Sequence, residues 1–174
     1  MKFLPSDSRL IRHDSRGYGK SLAPAAGFTE LGDLISVLDR LNVEQAVLVG
    51  HSAGGATAIR LALAQPARVR SLVLFAPGVS DFPWPQDEGF FIQFDALFET
   101  GDRDGLIDLG RRTWAINGGL DGESQIDSAV HAFINRGEWL MSDPPAFDQP
   151  YEINATTRIV IGNRDHPSVV ACAI

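Results

Sequence analysis

The chain changes pattern abruptly near residue 50, and that change constrains its fold more than any other feature. Ala46-Val47-Leu48-Val49 is a short, continuous apolar run, the pattern of a strand buried on both faces of a parallel sheet. From about 53 to 65 the chain is rich in alanine and leucine, which predicts a helix that Pro66 stops. Between them lies Gly50-His51-Ser52-Ala53-Gly54, a G-x-S-x-G pattern with a strand before it and a helix after it. A serine held on so sharp a turn projects its hydroxyl past the end of the strand. Gly50 and Gly54 are expected to leave room for close backbone approach, with Gly55 and Ala56 as further small residues where helix and strand meet. The N-terminus of the helix faces the serine and favours negative charge developing there. Ser52 is therefore a candidate nucleophile, and the Ala53 N–H a candidate oxyanion donor. The bland alternative for Ser52 is a helix N-cap without chemistry.

Two competing glycine motifs are excluded. A dinucleotide fingerprint needs glycine where Ser52 stands, and a P-loop ending in Gly19-Lys20-Ser21 needs glycine where Asp14 stands.

Around this centre the elements alternate. Leu10-Ile11-Arg12-His13 is a short strand candidate, followed by a loop through Gly17 and Gly19. A helix begins after Thr29, an N-cap residue, and Leu31, Leu34, Ile35, Leu38 and Leu41 share one face up to Asn42. Ser71-Leu72-Val73-Leu74-Phe75 and Arg158-Ile159-Val160-Ile161-Gly162 read as two further buried strands. Strands alternating with helices imply an α/β fold, a parallel sheet flanked by helices. The core is expected over 1–79, with a return to it over 151–174. Residues 80–150 differ: eleven of the fifteen aromatic residues fall between Phe82 and Tyr151. Helical patterns at about 88–100, 103–116 and 124–140 there predict a helical cap. Its aromatics fit either an apolar substrate surface or the cap's own core.

The 174 residues suffice for one domain with a core, and a net charge of −7 argues against nucleic-acid binding. Cys172 is the only cysteine, which excludes an internal disulfide and fits a buried small residue in a reducing compartment. No apolar run reaches membrane-span length and the first residues lack a signal-peptide pattern, so a cytoplasmic protein without membrane partners is expected. Asn154-Ala155-Thr156 then matches a glycosylation sequon by chance. The spacing of His13, His51, His131 and His166 suggests no zinc site.

Three segments resemble the α/β-hydrolase family: Asp14-Ser15-Arg16-Gly17-Tyr18-Gly19-Lys20-Ser21, Gly50-His51-Ser52-Ala53-Gly54-Gly55, and Pro66-Ala67-Arg68-Val69 leading into Leu72-Val73-Leu74. A fourth, Ile161-Gly162-Asn163-Arg164-Asp165, is similar to the strand end that carries the family's catalytic acid. The resemblance implies a serine hydrolase acting on an ester, lactone or related acyl substrate, of the esterase or enol-lactonase type, with no cofactor. It makes Asp165 the acid that orients a histidine, with a turn-forming Asp as the bland alternative and Asp81 as a second candidate acid. Asp14 and Arg16 become loop-shaping residues, and His51 lines or supports the pocket. Relatives with dehalogenase or epoxide-hydrolase activity use an Asp nucleophile, so Ser52 argues against those activities.

The family order of serine, acid and histidine leaves the histidine without a place, because nine residues follow Asp165 and the one histidine among them is the adjacent His166. The loop with the second oxyanion donor and the strand before it are also missing from the pattern. The expectation is an incomplete hydrolase, truncated at both ends and inactive alone. Its sheet is expected to have four strands with a gap beside Leu10–His13, or that strand slides into the gap. Exposed sheet edges then favour self-association. The alternative is a non-catalytic ligand-binding protein of the same fold, or an inactive fragment.

Overall fold

The computed structural model describes residues 8–79, 82–83, 89–115, 119–136, 139–146, 152–163, 165 and 167–172. Its fold is α/β, with three parallel strands in the order β1 (Ala46–His51), β2 (Val69–Phe75) and β3 (Thr156–Val160).

The first helix, α1 (Glu30–Arg40), follows from its sequence at both ends. The Thr29 hydroxyl accepts from the Gly32 N–H at 3.0 Å, the bond an N-cap supplies. At the other end Asn42 takes a left-handed φ of 52°. Its N–H donates to the Asp39 carbonyl and the Val43 N–H to the Leu38 carbonyl, so two terminal carbonyls are satisfied. The second helix, α2 (Ala53–Ala64), runs between β1 and β2, and Pro66 opens a single 3₁₀ turn, Pro66–Arg68. Both helices bury their apolar residues against one face of the sheet. Leu61, Leu72 and Leu74 are wholly buried there, with Leu31, Leu38 and Ile59 around them.

The opposite face departs from the expectation of strands buried on both sides. Val47 is 53% exposed, Val49 68% and Phe75 39%, and every residue of β3 is exposed. In β1 and β2 the exposed side chains alternate with more buried ones, so covering one face leaves them open, whereas β3 is open on both faces. The sheet is also narrower than expected. Leu10–His13 forms no strand, neither beside the sheet nor slid into a gap, so there are three strands among the described residues rather than four. That segment instead runs antiparallel along α1. Arg9 donates to the Leu41 carbonyl at the helix C-terminus, whereas Ser15 and Arg16 bond Glu30 and Asp33 in its first turn. With Leu10 half exposed and two polar residues at 12 and 13, strand pairing offers this segment little burial, and α1 offers it charged partners.

Three helices lie between β2 and β3 in the chain: α3 (Phe90–Glu99), α4 (Arg103–Trp114) and α5 (Gly119–Arg136). Gly110 lets α4 approach α5 closely, since a Cβ there would lie 2.7 Å from Ile126. Arg111 forks onto the Asp127 carboxylate across the same seam. Phe90, Phe94 and Phe98 stack along α3 and meet Trp114 and Phe133 edge to face, with centroids 4.9 to 6.0 Å apart. These five rings contact one another, but Phe98, Phe133 and Trp114 stay exposed, so the cluster is open to solvent on one side. A short helix, α6 (Pro167–Cys172), ends the described chain.

Candidate active site

At the end of β1 the chain turns through Ser52 with φ 49° and ψ −117°. A side chain rarely adopts that conformation, which costs about 1–3 kcal/mol and persists only where the surroundings enforce it. Here they do. The Ser52 N–H donates to the Phe75 carbonyl at 3.1 Å. Its carbonyl accepts from Gly55 and Ala56 on α2 and from Gly78 on the loop after β2, at 2.9, 3.1 and 3.0 Å. Ser52 is thus gripped from both sides by its backbone, while its side chain is exposed and makes no cap hydrogen bond. The N-cap alternative is not realised.

The glycines divide unequally. A Cβ on Gly50 would lie 2.5 Å from the Gly54 carbonyl oxygen, and one on Gly55 2.7 Å from Pro77, so both positions need glycine. A Cβ on Gly54 would meet nothing within 4 Å. The expectation that Gly54 serves close backbone approach is therefore corrected: Gly55 fills that role, because the neighbouring loop crosses over it. That loop, Ala76-Pro77-Gly78, is the part of the site that sequence reading missed. Ala76 has φ 40° and donates to the Val160 carbonyl, which ties β3 to the same corner. Pro77-Gly78 in the sequence signalled a turn, but not that the turn supports Ser52.

Ala53 is the first residue of α2, exposed, and its N–H precedes the first helical hydrogen bond, so no carbonyl of α2 accepts it. No acidic residue occupies that turn, so the positive end of the helix faces the Ser52 region uncompensated.

Asp165 lies just beyond β3, past the same end of the sheet as Ser52 and two strands across from β1. It is exposed. Its carboxylate accepts from the Gly162 N–H at 2.6 Å and its own N–H returns to the Gly162 carbonyl, a closed turn. Among the described residues no imidazole bonds either group. His51 is exposed at the end of β1, paired with Phe75, on the face away from Leu48. His131 sits on α5 beside Arg103, and His13 lies on the irregular segment along α1. Asp81 and His166 lie outside the described residues. Asp14 shapes its loop as expected, accepting from the Lys20 N–H, with a Gly19 side chain excluded by the Asp14 carboxylate. Arg16 both pairs with Asp33 and lies over the Phe28 ring. The Cys172 thiol donates to the Pro77 carbonyl, and burial pushes its pKa up. No group of His, Cys, Asp and Glu among the described residues could hold a metal ion, and none of their helices is long and apolar enough to cross a membrane.

A family model described as the alpha/beta hydrolase family matches residues 2–171. The chain belongs to that family. Over 87 residues it is 41% identical to a 2-hydroxymuconate semialdehyde hydrolase of Pseudomonas sp. (strain CF600), covering 48% of this chain and 31% of that protein. Over 69 residues it is 46% identical to an epoxide hydrolase of Caballeronia sordidicola, covering 37% and 21%. Among solved structures it resembles Est816, described as an N-acyl homoserine lactone degrading enzyme, with a TM-score of 0.64 and 26% identity over 91% of this chain and 65% of that one. The relatives are hydrolases, and the chain spans about a third or less of the length of these two curated ones.

Proposed function

We propose that this protein is a serine hydrolase of ester, lactone or related acyl substrates, with Ser52 as nucleophile. One observation carries the reading: Ser52 holds a costly backbone conformation that leaves its hydroxyl exposed and uncommitted at the N-terminus of α2. In the reaction Ser52 Oγ attacks the acyl carbon and its proton passes to a histidine base. The carbonyl electrons move onto oxygen, where the Ala53 N–H and the positive end of α2 stabilise the charge. Collapse expels the alcohol, which takes the proton from the histidine. Water then repeats the sequence on the acyl-serine and frees the acid. Asp165 is assigned to orient the histidine. The lactone class is supported by the likeness to Est816; the epoxide hydrolase name of another relative does not fit a serine nucleophile in the same way.

A second reading, a ligand-binding protein or inactive fragment of the same fold, is favoured by one specific feature. No imidazole bonds Ser52 or Asp165 among the described residues, and the Asp165 carboxylate is engaged by Gly162. A fluorophosphonate probe separates the two. Labelling of Ser52, lost in S52A, is the expected result for the hydrolase. Absence of labelling in a sample that melts cooperatively by circular dichroism overturns it in favour of the binding reading.

A further inference from the structure

Beyond the elbow, one buried carboxylate, Asp143, joins segments far apart in the chain. Its side chain is only 3% exposed, although it follows the cap helices in a stretch without regular structure. One carboxylate oxygen accepts from Arg60 Nη1 on α2 at 3.0 Å. The other accepts, at a long 3.4 Å, from the Leu31 N–H in the first turn of α1. That turn gains a second cap from 112 residues away, beside the local Thr29 cap. Around Asp143 the chain is stitched to the core by its backbone. The Phe28 N–H donates to the Trp139 carbonyl at 3.0 Å, and the Met141 N–H to the Phe28 carbonyl at 2.8 Å. The Met141 side chain lies over Gly27, where a Cβ would be 2.9 Å from Met141 Sδ. Ala146, 1% exposed, is part of the core cluster with Leu31, Leu38 and Leu61.

We infer that residues 139–146 belong mechanically to the core, and that Asp143 is the positioning residue that registers the root of the α3–α5 cap on α2. A buried ion pair adds little net stability over an apolar pair of the same shape, but losing one partner is costly, so it selects one register among several. The register matters because α2 also carries Ser52 before its first turn. Arg60 lies eight residues further along, about 12 Å down the same rigid helix. The cap's root and the elbow are thus referred to one element, whereas α3, α4 and α5 pack chiefly on each other. This registration holds whether or not Ser52 is reactive.

Native-state hydrogen exchange read by mass spectrometry or NMR tests it without substrate. In the unaltered protein the Phe28 and Met141 amides should exchange at rates close to those of β2, and slower than those of α3 and α5 by about tenfold or more. In R60M, exchange over 139–146 and α5 should rise about tenfold while β1 and β2 change less than about twofold, and R60K should restore most of the protection. Phe28 and Met141 exchanging with the cap helices overturns the inference. So does an R60M effect spread evenly over the sheet, or no effect. If R60M fails to fold, the comparison within the unaltered protein still decides.

Discussion

Ser52 and Asp165 stand at the C-terminal edge of one parallel sheet, yet the fold holds them in opposite ways. Ser52 sits in a strained conformation fixed by four backbone hydrogen bonds from three separate segments. Asp165 sits in a relaxed local turn, exposed, closed on Gly162 three residues away. The contrast shows where tertiary structure has been spent. Strain of about 1–3 kcal/mol survives only where surrounding packing over-determines it, and β2, α2 and the Ala76–Gly78 loop do so around Ser52. Among the described residues nothing comparable constrains Asp165, and β3 is an edge strand there, exposed along its whole length.

The largest effect should come from G50A. A methyl group placed 2.5 Å from the Gly54 carbonyl oxygen forces the elbow open, and a loss of about 3 kcal/mol is expected in urea denaturation. An unchanged midpoint would mean that the elbow is far softer than its geometry. On the Asp165 side, D165A removes one exposed hydrogen bond and should cost about 1 kcal/mol or less, with β1 and β2 amide exchange unaltered. A larger loss would place Asp165 among the over-determined residues. S52G should stabilise by about 1 kcal/mol, because glycine accepts the elbow conformation, whereas S52A keeps the strain and gains nothing. Equal melting temperatures for the two variants would remove strain from the account. G54A should change stability by less than about 1 kcal/mol, in the stabilising direction, since the added methyl group meets open space on a helix. The smallest effect concerns Cys172. Its raised pKa lowers the thiolate fraction at pH 8, so iodoacetamide should modify it several-fold more slowly than a free thiol of ordinary pKa, with urea restoring the rate.

The elbow was legible in the sequence because all its parts are local. A strand, a glycine-flanked serine and an alanine-rich helix follow one another within twenty residues, and each is dictated by short-range pattern. The caps of α1 were legible for the same reason: Thr29 and Asn42 act on their own neighbours. Leu10–His13 was misread because its competition is not local. Its apolar start resembles a strand, but the charged groups of α1 that claim its flanks are visible only once the helix is placed beside it. The one-sided burial of the sheet was hidden likewise. Val47 and Val49 are as apolar as Leu48, and a continuous apolar run says nothing about which face is covered.

Sequence alone determined the α/β alternation, the strand–turn–helix around Ser52, and the need for glycine at position 50, because periodicity and steric exclusion act over a few residues. Tertiary structure alone decided that Gly55 rather than Gly54 takes the close approach, that Ala76–Gly78 braces the serine, and that Asp143 pairs with Arg60 on α2. Each of those facts depends on backbone segments meeting from distant parts of the chain, and no local pattern encodes where they meet.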